Sequence, residues 1–118
     1  MSNQSVNLQA KLGTFSEHWH PRIVAEFNGN EVMVAKVKGE FNWHSHPDTD
    51  DFFMVLEGEV RIEMRDRHVT VRKGELFVVP AGIEHRPIAE EEAHLLIVER
   101  CGTPNTGDEA TAVDKEKI

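Results

Sequence analysis

From Arg22 to Arg100 the chain alternates short apolar runs with turn residues, and no stretch keeps an apolar stripe at helical spacing. The pattern predicts strands over 22–27, 31–38, 41–46, 51–56, 60–65, 68–72, 76–79 and 93–99, with almost no helix. Between the first two lies Asn28-Gly29-Asn30, and an Asn-Gly step suits the positive φ of a tight hairpin turn, so these runs should pair antiparallel. In 60–65 the alternation is strict: Val60, Ile62 and Met64 share one face and Arg61, Glu63 and Arg65 the other, as in a strand with one wet side. The run 51–56 differs, because after Asp51 it is apolar at both parities. Both its faces should therefore be covered, one by a second sheet and one by a subunit, and the expectation is a homodimer. Pro80 closes 76–79, since proline cannot donate to a central ladder. Short strands with closely spaced turns suit a sandwich or a barrel.

Composition narrows the class. At 118 residues, with 39% apolar side chains that rise to about 46% when the 8 Gly are added, the chain has the make-up of one globular domain. Thirteen basic against 21 acidic residues give a formal charge of -8, which disfavours nucleic acid or an anionic membrane as partner. The single cysteine, Cys101, cannot form an internal disulfide and is expected to be a buried or half-exposed inert thiol. Met1 to His20 lack the apolar core of a signal peptide or membrane span, so the expected compartment is the cytoplasm. The expected organisation is an N-terminal arm over 1–21, frayed over 1–7 or docked on a dimer partner, a β-barrel over 22–101, and a polar acidic tail over 102–118. The tail is expected to be mobile or marginally helical.

Histidine changes the picture most. Seven His and no Tyr stand in this short chain, and two His two residues apart on a strand point to one face, close enough to share a metal ion. Chance alone supplies fewer than one such pair here, and the chain has two: His18/His20 and His44/His46. His18 and His20 lack a carboxylate at matching parity and are expected at a surface or interface. His44-Ser45-His46 is followed by Asp48, Asp50 and Asp51 and then by an apolar strand, so a carboxylate that begins the inward series 51, 53, 55 can meet the two imidazoles. Such a nitrogen and oxygen donor set suits Fe, Mn, Ni, Cu or Zn. His85 follows a Pro80-Ala81-Gly82 turn and could come opposite in a barrel. His68 is expected in a solvated loop, His94 in a structural role, and Glu90-Glu91-Glu92 in a solvated acidic loop. Asn42 shares the parity of His44 and His46 and is a candidate second contact around the site, whereas Phe41 and Trp43 take the opposite parity and are expected to pack on the other sheet or on a dimer partner.

These residues resemble the two motifs of the cupin superfamily, G-x5-H-x-H-x3,4-E-x6-G and G-x5-P-x-G-x2-H-x3-N. Gly74, Pro80, Gly82 and His85 stand at the second motif's spacings, with Ala89 in place of its final Asn. His44, His46, Asp51 and Gly58 follow the first, with Gly39 one residue nearer His44 than the pattern asks and Asp where the family has Glu. The resemblance covers roughly residues 30 to 100. It implies an all-β jelly-roll barrel of the small single-domain bacterial kind, and one divalent transition ion held by His44, His46, Asp51 and His85. Asp reaches about 1.5 Å less than Glu, against metal–oxygen bonds of about 2.0–2.2 Å. The ion would then sit closer to that strand, reach Asp51 through water, or rely on the three histidines. Asp50 is the rival carboxylate, one residue out of register with Gly58. The function implied is that of a metal-dependent enzyme, dioxygenase-like or isomerase-like, acting on a small oxygen-bearing molecule. The alternative is a non-catalytic binding or sensing module whose metal is structural or orients a ligand. No phosphate-binding glycine loop, nucleophile elbow or zinc-finger cysteine pair is present.

Overall fold

A computed structural model describes residues 4–118. Strands dominate: β1 Arg22–Phe27, β2 Asn30–Glu40, β3 Asp51–Glu57, β4 Glu59–Met64, β5 His68–Arg72, β6 Leu76–Val79, β7 His85–Arg100 and β8 Glu116–Lys117, preceded by one short helix, α1 Leu8–Leu12. The Asn28-Gly29 turn has both residues at positive φ, 50° and 77°, and β1 pairs antiparallel with β2 as expected.

The 16-residue β7 is the spine. One edge pairs with β2 along nearly its whole length, while the other pairs with β4 near His85 and with β3 from His94 to Val98. β6 adds to β3, and β5 to β4, which closes the walls around one interior. Halfway along, Val37 opposes Ala93 but Gly39 opposes Ala89, so β7 carries extra residues at Glu90–Glu92 and bends there. This corrects the expected acidic loop: those glutamates belong to the strand, and their charges reach water from its bulge. The alternation holds, with Val60, Ile62 and Met64 on β4 and Phe53 and Val55 on β3 buried in the interior. On β3 the opposite parity, Phe52, Met54 and Leu56, is half-buried.

Four further expectations need correction. Residues 41–46 form no strand: only His44 bridges, exchanging backbone hydrogen bonds with His85 at 3.0 and 2.9 Å, because the segment from the Phe41–Pro87 bond to this bridge carries one residue more than the strand it faces. The N-terminal arm docks on its own barrel. Asn7 Oδ1 accepts the Ala10 N–H, capping α1, and Leu12 is buried with Val24 and Val34 on the outer face. Of the residues expected to fray, 1–3 lie outside those described. The tail also packs: β8 runs parallel to β1, and Ile118 donates its N–H to Ile23 O and joins the outer apolar cluster. Cys101, finally, is exposed, in the turn that follows β7. Among the described residues no helix is long and apolar enough to cross a membrane.

Candidate metal centre

Three chain segments converge inside the barrel. The 41–50 loop brings His44 and His46, the first residue of β3 is Asp51, and the first residue of β7 is His85. All four are buried, with exposures of 7, 3, 2 and 1% in that order. One potential ligand atom from each lies within 4.8 Å of every other. Bonds of about 2.0–2.2 Å set the ligand atoms of a single ion roughly 3 to 4.3 Å apart, so the group lies close to the spacing of a metal-binding set. Asp51 Oδ2 is 2.9 Å from His85 Nε2, 3.2 Å from His46 Nε2 and 4.0 Å from His44 Nε2. The shorter acid therefore still places its oxygen among the three imidazoles. Asp50, the rival, is exposed and accepts the Ala81 N–H at 2.9 Å, which ties the 41–50 loop to the Pro80-Ala81-Gly82 turn.

Backbone carbonyls orient two of the rings. His44 Nδ1 faces Asn42 O and His85 Nδ1 faces Ile83 O, both at 2.9 Å. A carbonyl can only accept, so these Nδ1 atoms carry the protons and the Nε2 atoms present lone pairs to the interior. His85 Nε2 then confronts an acceptor as well, the Asp51 carboxylate. A buried imidazole with an acceptor at each nitrogen is satisfied by a second proton or by a cation between ring and carboxylate. His46 Nε2 and Asp51 Oδ1 add to the demand, being buried without a hydrogen-bond partner. The site thus has lone pairs in excess, and the residues present fit a divalent transition ion. Burial pushes His44 down to about 4, so its ring stays neutral and available as a ligand at neutral pH. Burial acts to raise Asp51, but in the metal-free chain the protonated His46 and His85 rings that face it outweigh it and hold the carboxyl below its ordinary range.

Around the cluster lies a cavity of about 40 Å³, walled by apolar side chains including Phe53, Leu95 and Ile97 and touched by His44, Asp51 and Glu99. Two aromatic residues help close it: Trp19 and Phe41 stack at 4.8 Å, and Phe41 meets His44 edge-on at 5.3 Å. Phe41 was expected to face away. The loop that replaces the expected strand frees it from that parity, and Asn42 is exposed and contributes its carbonyl instead of its amide. Trp43 does face outward, under the guanidinium of Arg65 at 3.8 Å. Glu99 went unsingled in the sequence, although the inward series Ala93, Leu95, Ile97, Glu99 ends on a charge, which was the available signal. Burial, with the Asp51 charge beside it, pushes Glu99 up to about 9, so it keeps its proton at neutral pH. The remaining histidines stand apart: His18 and His94 both hydrogen-bond the Glu92 carboxylate, at 2.7 and 3.3 Å, His20 is half-buried, and His68 is exposed at the start of β5.

The fold is an all-β jelly-roll barrel with three histidines and one carboxylate buried in its interior, a cluster that could hold one metal ion. The cupin domain model matches residues 31–99, and the chain belongs to the cupin family. Among solved structures it is similar to a cupin-2 domain containing protein from Shewanella frigidimarina, with a TM-score of 0.79 and 44% identity, covering 80% of this chain and 93% of that one. It is 41% identical over 64 residues to the uncharacterized protein YdbB of Bacillus subtilis, covering 53% of this chain and 57% of YdbB. It is also 28% identical over 81 residues to 3-hydroxyanthranilate 3,4-dioxygenase of Brucella anthropi, covering 61% of this chain and 44% of the enzyme. The chain spans about half the length of these curated relatives.

Proposed function

We propose that this cupin is a metal-dependent enzyme of the dioxygenase-like kind, with His44, His46, Asp51 and His85 holding one divalent transition ion and a small oxygen-bearing molecule as substrate. The observation that carries the reading is the convergence of buried lone pairs, above all His85 caught between the Ile83 carbonyl and the Asp51 carboxylate. Bound there, such an ion supplies Lewis-acid polarisation of substrate oxygens or, as Fe(II), access to dioxygen chemistry. The chain's own residues do the rest. The Asn42 and Ile83 carbonyls fix two rings with Nε2 inward, and Phe53, Leu95 and Ile97 exclude water. Phe41 and Trp19 offer an aromatic wall, and Glu99 holds a proton beside Asp51. Likeness to 3-hydroxyanthranilate 3,4-dioxygenase favours a small hydroxylated aromatic as the substrate class. The cavity of about 40 Å³ is small beside the roughly 150 Å³ of a protein cavity that takes benzene, so a ring must reach out through its mouth or displace part of the wall.

The test is oxygen uptake by Fe(II)-loaded, untagged protein across a panel of hydroxylated aromatics. Consumption above the Fe(II) blank, lost in His85→Ala, is the expected result. Metal binding without uptake on any panel member would overturn the enzymatic reading in favour of a binding module, a reading that the small cavity also supports.

We further propose that a second copy covers the outer side of β6, β3 and β7, where Leu76 and Val78 are 56 and 40% exposed beside half-buried Phe52 and Val98. Light scattering should give a dimer mass for the wild type and a monomer for Val78→Glu. A monomeric wild type at high concentration counts against it.

A further inference from the structure

Three carboxyl groups stand abreast on the interior side of the sheet. Glu31 of β2 opposes Glu99 of β7, and β3 pairs with the other edge of β7 through Phe52 and Val98, which brings Asp51 beside Glu99 one step along. Carboxyl groups crowded across strands need protons or a cation beside them, and burial sharpens that need. Glu31 Oε1 and Glu99 Oε2 are moreover buried without a hydrogen-bond partner. The C-terminal segment answers this. Lys115, its side chain only 10% exposed, brings Nζ to 3.5 Å from Glu31 Oε1 and 3.7 Å from Glu99 Oε2, and donates to Thr103 O.

The same segment is seated on the metal cluster's loop. Gly107, at φ +77°, lies so close to Ser45, between His44 and His46, that a Cβ would come 2.3 Å from the Ser45 carbonyl oxygen. Thr106 is buried, and Asn105 lines the cavity. The strand pairing of β8 with β1 then fixes the residues that follow Lys115, so Lys115 is held between the Gly107–Ser45 contact and β8.

We propose that Lys115 is a positioning residue of the metal centre: by pairing with Glu99 it holds that carboxyl against Asp51 and so fixes the Asp51 carboxylate among the three imidazoles. The proposal rests on the metal-centre reading above and adds to it a chain segment that supplies no ligand. Residues that orient metal ligands typically change affinity by roughly 10–100-fold when lost.

Co2+ binding to the full chain tests it, read by competition titration and by the visible absorption of the bound ion. Lys115→Met should weaken Co2+ roughly tenfold or more and alter the spectrum, and Lys115→Arg should restore both. In a Glu99→Gln background, where the carboxyl group that Lys115 contacts is gone, the Lys115→Met change should have little further effect. Wild-type affinity and spectrum in folded Lys115→Met would overturn the proposal, as would an equal loss in both backgrounds. Should Lys115→Met alone not fold, Lys115→Arg and the Glu99→Gln pair carry the comparison, and an altered spectrum in Arg with no dependence on Glu99 goes against it. Failure of the wild type to bind Co2+ at all overturns the metal-centre reading itself, a result distinct from these.

Discussion

Val55, Val60, Ile62 and Val71 fill one part of the barrel interior, each 2% exposed or less, while another buried part holds His44, His46, Asp51, His85 and Glu99. Both parts come from inward positions of strands and the loop beside them. In the first, each apolar side chain removed from water stabilises the fold by about 1.5–3 kcal/mol. In the second, burial works against folding, because charges and lone pairs give up water and regain partners only from one another. An interior that only needed stability would use the first chemistry throughout. The polar part is therefore where the chain gives up stability for a site.

The largest expected effect breaks the polar part. His85→Ala removes the ring shared between the Ile83 carbonyl and Asp51 and should reduce bound metal from stoichiometric to trace, measured by elemental analysis after dialysis of untagged protein. Wild-type metal content in this variant would exclude the assignment. The contrasting change is Ile62→Ala, at a side chain with no exposure. It should lower the stability of the metal-free protein by about 2–5 kcal/mol in denaturant while leaving metal content unchanged. If the two variants showed the same phenotype, the division of the interior would be wrong.

The apolar part was legible in the sequence and the polar part only partly so. Strict alternation in 60–65 and the inward series from Asp51 need nothing but period 2, and the buried sets on β3 and β4 match them. Gly74, Pro80 and Gly82 set His85 in register because proline and glycine leave the turn little choice. Phe41 and Glu99 were missed for different reasons. The loop at 41–46 departs from strand parity through long-range pairing with β7, which no local pattern reports. Glu99 reads as the polar end of a strand until Glu31, Asp51 and Lys115 are brought around it. The tail's polar composition likewise says nothing of a lysine whose partners lie far away in the chain.

Titration sharpens the contrast without disrupting either part. Glu99 in the folded, metal-free chain is raised from its ordinary 4.5 to about 9, so between these values the folded chain holds a proton that the unfolded chain has released. Stability from this group is complete below about 4.5 and is lost as pH rises toward 9. His44 acts oppositely. Lowered from 6.5 to about 4, it leaves the unfolded chain to take up the proton first, so its contribution is complete above 6.5 and is lost as pH falls toward 4. Denaturant melts of metal-free protein should therefore show greatest stability in mildly acidic buffer and a decline on the alkaline side. Glu99→Gln should flatten the alkaline decline and keep the acid one. An unchanged alkaline limb in that variant would assign the decline to another group.

The smallest effect is expected at the boundary between the two parts, in the turn that leads into His85. Gly82 has φ +81° and donates its N–H to His46 O at 2.8 Å, yet a Cβ built there meets nothing within 4 Å. Gly82→Ala therefore costs backbone strain alone, about 1 kcal/mol, read as a modest shift of the denaturation midpoint. Metal affinity should not change, because the ring positions depend on the Asn42 and Ile83 carbonyls and on the His44–His85 bridge rather than on this turn's exact φ. If Gly82→Ala instead loosened the metal, the His46 O to Gly82 N–H bond would be what holds the 41–50 loop over the cluster. The polar part would then extend into the exposed turn.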